Sequence, residues 1–223
     1  MIELVKVEDK ILGNLKAHDL LLENVDSTTL LVLSGGTSPD YDKIIVHPRD
    51  ILPAAVCIGD ERFGGPYHKD SNELLLKNFG LNDFLQVKNI DYHRILQGEG
   101  AEKTAQDYNK VLTELFAKFP KRLGVMGVGT NLHTSAIFPN STAAKSADFI
   151  VGEHVEDRIP MRITLTLKAL GQFTGFIILM FGEQKKDALV KLLDESENDM
   201  QTYPAIFYRK CLQKAYLITD IKI

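Results

Sequence analysis

The chain has 223 residues, 44% of them hydrophobic and 25% charged, the balance of an ordinary globular protein long enough to bury a core. Its formal charge of −4 excludes the basic face of a general nucleic-acid binder, so an anionic ligand has to be met by a local cluster of cations. Cys57 and Cys211 lie far apart and predict free thiols, with no disulfide and no metal site; no signal-peptide core and no membrane-length apolar run is present, so the expected location is cytoplasmic.

In chain order, a helical pattern over residues 6–22 precedes an apolar strand at 29–33, which runs into Ser34-Gly35-Gly36-Thr37-Ser38-Pro39. Glycines there let backbone N–H groups approach an anion, the hydroxyls add donors, and proline suits the first turn of a following helix. The loop reads equally as a phosphate cradle or as a plain strand-to-helix junction. It is not a P-loop, because no Gly-Lys-Ser/Thr follows, nor a dinucleotide fingerprint, because the third glycine is missing. Residues 40–46 have room for only one or two helical turns before His47-Pro48 stops them.

A strand at 54–58 ends in Gly59-Asp60-Glu61-Arg62. A carboxylate there can orient a histidine and a guanidinium can clamp an oxyanion; the alternative is a solvated charged turn. Adjacent carboxylates usually point apart, so no coupled acid pair is implied. Asp70 and Glu73 show a capping-box spacing at the start of a helix over 71–79, and a longer helical pattern covers 101–119.

The strand predicted at 122–126 ends in Gly127-Val-Gly129-Thr-Asn131-Leu132-His133. Two glycines turn the backbone at the C-terminal end of a buried parallel strand, where open α/β sheets place their ligands. A histidine delivered there is positioned for proton transfer, although an incidental surface histidine fits the same short pattern. Further apolar runs lie at 149–151, 175–181 and 215–219, with a helical pattern at 184–194. Arg162 and Lys185 each fall near the expected start of a helix, where a cation opposes the macrodipole and an anionic ligand explains it better. Lys186 reads as solvated. His18, His47, His68, His93 and His154 lack metal-ligand spacing and read as surface or partly buried. The alternation predicts an α/β fold, a mostly parallel central sheet flanked by helices, in one domain over 1–223.

Together, Ser34-Gly-Gly-Thr-Ser-Pro39, Gly59-Asp-Glu-Arg62 with Asp70-Ser-Asn72, Gly127-x-Gly129 to His133-Thr-x-x-x-Phe-Pro139, Arg162-Ile-Thr-Leu-Thr166 and Gly182-x-x-Lys185 stand in a fixed order. In that order the chain resembles the 6-phosphogluconolactonases, which belong with the glucosamine-6-phosphate isomerases/deaminases, over nearly its whole length. The resemblance implies a Rossmann-like fold and hydrolysis of 6-phospho-D-glucono-1,5-lactone in the pentose phosphate pathway, without metal or cofactor. The expected partner is that phosphosugar lactone, with no nucleic acid and no membrane, and the expected state a monomer or weak dimer.

By matching position, His133 is the general base on water, Arg62 stabilises the oxyanion and Asp60 orients or polarises the centre. Ser34, Gly35, Gly36, Thr37, Ser38, Arg162 and Lys185 hold the 6-phosphate. The deaminases typically carry Asp-Glu-Tyr where Asp60-Glu61-Arg62 stands, and a catalytic Glu where Phe138 precedes Pro139, which favours the lactonase branch. The family usually reads Gly-x-Asp-Gly-His, against Gly129-Thr-Asn131-Leu132-His133 here. Asn131, grouped with the catalytic residues, can hold the imidazole by a hydrogen bond but adds no charge. Leu132 puts a Cβ where the family brings backbone close to the substrate. A weakened homologue that only binds sugar phosphates, and an amino-sugar-phosphate deaminase or isomerase, are the alternatives.

Overall fold

A computed structural model describes residues 2–46 and 49–223. His47 and Pro48, the expected stop after the first loop, lie outside the described residues. Strand β1 (Ile2–Lys6) leads into helix α1 (Lys10–Asn24), whose first turn is closed by the Asp9 carboxylate accepting from the Leu12 N–H at 2.8 Å. The next two strands, β2 (Thr29–Leu33) and β3 (Ala55–Ile58), are buried at every position, as expected of apolar runs covered on both faces. Gly59 then turns the chain out of the central sheet into the short β4 (Asp60–Arg62); a Cβ at Gly59 would meet Leu165 Cδ1 at 3.0 Å.

Helices α2 (Asn72–Asn78) and α3 (Leu81–Val87), strand β5 (Asp91–His93) and helix α4 (Ala101–Lys118) follow, and then strand β6 (Lys121–Gly127). The hairpin β7 (Ile150–His154) and β8 (Met161–Leu165) precedes α5 (Leu167–Leu170), β9 (Gly175–Met180), α6 (Lys186–Leu193), α7 (Phe207–Lys210) and β10 (Lys214–Thr219).

Among the described residues, the central sheet has the order β1-β10-β9-β6-β2-β3-β5, and every neighbouring pair is parallel. From β2 the chain winds outward through β3 to β5; from β6 it winds the other way through β9 and β10. The boundary between β2 and β6 is therefore the topological switch point, where the loops leaving adjacent strands diverge and open a crevice. A small antiparallel sheet, ordered β4-β8-β7, is joined to this edge, with the Leu165 N–H donating to the Gly59 carbonyl at 2.9 Å. Helix α1 packs on β9 and β10, and α4 on β7 and β8.

The predicted α/β architecture is the observed one, with local corrections. Lys6 belongs to β1 rather than to the first helix. Among the described residues this strand pairs with β10 alone, and it mixes Glu3 and Lys6 with its apolar residues, so it lacks the continuous apolar run of a buried strand. The cap of α2 is Ser71, whose hydroxyl accepts from the Leu74 N–H at 2.9 Å, not Asp70. Glu73 turns inward instead of closing a capping box: it takes the Arg94 guanidinium at 2.9 Å and the N–H groups of Ile95 and Leu96 at 3.0 Å each. The segment after Pro39 makes one wide turn, Asp42–Val46, with Tyr41, Ile44 and Ile45 buried beneath it. His18 is fully buried, its Nδ1 3.1 Å from the Ile44 carbonyl, where a surface or partly buried role was expected.

Candidate active site

The two Gly-bearing loops meet at the switch point. The Ser34 N–H donates to the Val125 carbonyl at 3.0 Å, and the Gly127 N–H donates to Ser34 Oγ at 3.1 Å, which ties the end of β2 to the end of β6. Tyr41 holds the first loop from below, its hydroxyl donating to the Ser34 carbonyl at 2.5 Å. Gly36 has φ +92°, a conformation that favours glycine. Gly35 has a different constraint: a Cβ there would lie 1.9 Å from Asn72 Oδ1. These loops and the edge of the small sheet enclose a cleft of about 310 Å³. It is lined by Ser34, Gly35, Gly36, Thr37, Ser38, Asp60, Arg62, His133 and Lys185, but by neither Asn131 nor Arg162.

His133 enters the cleft from the loop after β6. Asn131 Oδ1 accepts the His133 backbone N–H at 3.2 Å and lies 2.6 Å from its Nδ1. The backbone donor fixes that amide oxygen as the acceptor, so Nδ1 carries the proton and Nε2 keeps its lone pair. Phe138 stacks on the imidazole at 4.7 Å with a 21° interplanar angle. The ring also lies against Gly129, where a Cβ would be 2.1 Å from His133 Cε1. Burial, followed by the nearby charges of Lys185, Arg162 and Arg62, holds this imidazole at about 4, so it is neutral at physiological pH.

Leu132 does not fill the cleft. It adopts φ +62°, its side chain is 1% exposed within the core, and its carbonyl accepts from the Ala205 N–H at 2.9 Å. The backbone turn that a glycine would make freely is made by a leucine, whose strain is offset by burial. Ser135 and Ala136, on the cleft wall, are left-handed as well, at φ 44° and 46°.

The small sheet supplies the charges opposite. Asp60 is almost buried; Asn72 Nδ2 donates to its carbonyl at 2.8 Å and to its Oδ2 at 3.2 Å. Burial raises the Asp60 carboxyl while Arg62 and Arg162 pull it back. Glu61 points the other way, as expected of adjacent carboxylates on extended backbone. It accepts the N–H groups of Arg62 at 2.6 Å, Asn72 at 2.7 Å and Glu73 at 2.9 Å, so it fastens the start of α2 to β4. Burial nevertheless pushes Glu61 up to about 8.

Arg162 is the clearest departure from the sequence reading. It lies on β8, not at the start of a helix, directly across the ladder from Arg62. Two guanidinium residues opposed in this way repel, and the counter-charge comes from Asp157, 2.5 Å from Arg162 Nη2. Arg162 also donates to the Ile159 carbonyl. The side chain is buried in this pair and does not reach the cleft surface. Lys185, by contrast, projects from a single helical turn after β9 and donates to Ser38 Oγ at 3.2 Å, with its ammonium held below the usual lysine range by burial. Lys186 is exposed and paired with Glu183 at 3.2 Å.

The sequence reading gave no role to Glu61 or Asn72 as positioning groups, or to Phe138 as a platform for the imidazole. Asn72 closes the Asp70-Ser-Asn72 motif, but its contact with Asp60 depends on where α2 docks. Among the described residues, no group of three or more His, Cys, Asp and Glu side chains is arranged to hold a metal ion.

The family described as glucosamine-6-phosphate isomerases/6-phosphogluconolactonase matches residues 15–216. A 6-phosphogluconolactonase of Nostoc sp. is 28% identical over 206 residues, spanning 86% of this chain and 85% of its own length. That of Synechocystis sp. is 29% identical over 188 residues, spanning 79% and 76%. Among solved structures, a 6-phosphogluconolactonase from Shewanella baltica matches with a TM-score of 0.81 at 19% identity, over 98% of this chain and 97% of the other. One from Leishmania guyanensis gives 0.80 at 22%, over 98% and 96%. At such identities the structural likeness speaks for the fold, while the family match spans most of the chain. The chain belongs to the glucosamine-6-phosphate isomerase/6-phosphogluconolactonase family.

Proposed function

We propose that this chain hydrolyses 6-phospho-D-glucono-1,5-lactone to 6-phosphogluconate, with His133 as the base that activates water. The observation that carries the reading is the pairing, within one cleft, of a neutral imidazole whose Nδ1 faces Asn131 at 2.6 Å with a Gly-rich loop that receives Lys185 at Ser38. The cleft is at the small end of ligand sites, which suits a single sugar phosphate rather than a dinucleotide.

In this mechanism the 6-phosphate docks on the loop of residues 34–38 and on Lys185, and its binding energy fixes the ring for attack. Nε2 of His133 takes a proton from water as the water oxygen attacks the lactone C1 carbonyl. Arg62, whose Nη1 donates to the Asp70 carbonyl at 2.9 Å, meets the oxyanion, and Asp60 shapes the field of the centre. Collapse of the tetrahedral intermediate breaks the bond from C1 to the ring oxygen, and the imidazolium returns its proton to the departing alkoxide. The phosphate dianion offsets the cations that hold His133 low, so substrate binding itself makes the base stronger.

The deaminases typically carry a catalytic Glu immediately before the proline matching Pro139; here that residue is Phe138, stacked on the imidazole. The curated relatives named above, both called 6-phosphogluconolactonase, support the same branch. An assay with freshly generated lactone, corrected for spontaneous hydrolysis, tests the reading, run beside ammonia release from glucosamine 6-phosphate. Hydrolysis above background with no ammonia is the expected result. Tight 6-phosphogluconate binding without turnover would replace the enzyme by a sugar-phosphate-binding homologue.

A further inference from the structure

A phosphate dianion needs more positive charge than one lysine supplies, and the second cation expected from the sequence, Arg162, is engaged by Asp157 and the Ile159 carbonyl. A second lysine approaches the same loop from a different part of the chain. Helix α1 is clamped to the loop of residues 34–38 by Asn14, which is 1% exposed. Its Nδ2 donates to the Lys10 carbonyl at 2.8 Å and to the Ser38 carbonyl at 3.3 Å, and its Oδ1 accepts the Asp40 N–H at 2.8 Å. This clamp sets the first turn of α1 beside the loop. From that turn the Lys10 ammonium reaches the Thr37 carbonyl at 2.6 Å.

Lys10 and Lys185 thus hold consecutive residues of one loop, Thr37 and Ser38. Among the described residues, neither ammonium has a carboxylate within ion-pair distance, whereas Lys43, Lys88, Lys103, Lys121 and Lys186 each do. Two mutually repelling cations at a Gly-rich loop are an arrangement that an anion stabilises. Burial is the main reason the Lys185 ammonium is held low; the Asp220 carboxylate pulls it back up, and the charge of Lys10 adds a smaller downward push. Lys10 is not itself among the residues lining the cleft, but a lysine has three N–H donors on a flexible stem, so it can keep the Thr37 carbonyl and still turn a donor towards a phosphate held on the same loop.

We propose that Lys10 is a second phosphate-binding cation of this cleft, closing on the ligand's phosphate opposite Lys185. The inference rests on the sugar-phosphate reading of the cleft and assigns a residue to it that the motifs do not mark.

The test compares the wild type with Lys10→Gln and Lys10→Arg at low ionic strength. It reads binding of inorganic phosphate, of 6-phosphogluconate and of unphosphorylated gluconate by calorimetry, together with KM and kcat for the lactone. Lys10→Gln is expected to weaken both phosphorylated ligands about tenfold and to raise KM by a similar factor, with a much smaller change in kcat. Gluconate affinity stays the same, and Lys10→Arg restores most of the loss. Phosphate and 6-phosphogluconate affinities unchanged in Lys10→Gln would overturn the assignment. So would an equal loss for gluconate, which would mark Lys10 as a brace of the loop. A wild type that binds phosphate through Lys10 but does not hydrolyse the lactone keeps the assignment and removes the lactonase reading; a wild type that binds no phosphate removes the assignment itself.

Discussion

Asn131 Oδ1 lies 2.6 Å from Nδ1 of His133 and accepts the same residue's backbone N–H at 3.2 Å. One neutral amide thus sets both the backbone turn and the tautomer of the base, but it adds no charge to steady an imidazolium. Burial and three cations then hold the free imidazole at about 4. Protonation removes the base, so kcat/KM is expected to be flat through neutral pH and to fall only as pH drops towards 4. In Asn131→Asp a carboxylate favours the charged imidazole, so the acid limb should move up by at least about one unit, with a higher plateau. A pH–rate profile of the two proteins checks this; coincident acid limbs would place the titrating group elsewhere.

Gly129 is the floor on which the imidazole rests. In Gly129→Ala the new methyl would sit 2.1 Å from His133 Cε1, so ring and backbone cannot both keep their places, and the ring is expected to swing away. A displaced base should lower kcat by roughly 100-fold, while 6-phosphogluconate, held at the other end of the cleft, binds within a few-fold of the wild type. Steady-state kinetics beside calorimetry separate the two effects.

Leu132 sets strain against burial, and magnitudes decide the sign. Relaxing a left-handed residue to glycine gains about 1–2 kcal/mol. Deleting a buried leucine side chain costs about 2–5 kcal/mol, and glycine's freedom in the unfolded chain adds about 0.5–1 kcal/mol. Leu132→Gly is therefore expected to destabilise the fold by about 2 kcal/mol, although glycine suits the backbone better. Urea unfolding gives the value; a stabilised variant would show that the leucine contributes little packing.

The order of motifs made the meeting of distant residues legible. Ser34 and Gly127 bond across the β2–β6 switch point, and Lys185 reaches Ser38, because parallel strands bring their C-terminal ends to one edge whatever their separation in sequence. Arg162 was misplaced for a physical reason. Its pairing with Arg62 across β4 and β8 depends on Gly59 turning the chain into a second sheet, and three-residue β4 carries no periodic signal. The partner that neutralises Arg162, Asp157, lies on the turn between β7 and β8, whose residues carry no motif. The effect of Leu132 was legible only in part: its backbone does take the glycine-like turn, but its side chain goes into the core. Lys10 was invisible because a lysine at the start of a helix gains meaning only once Asn14 docks that helix on the loop.

Every step of the proposed hydrolysis depends on His133 as the water-activating base. The measurement that tests it most directly is lactone turnover by His133→Ala and His133→Gln above the spontaneous rate, with 6-phosphogluconate affinity read on the same samples. A base at His133 requires kcat to fall by about 100- to 10,000-fold in both variants, with affinity held within a few-fold. Turnover at the wild-type rate in either variant would contradict it.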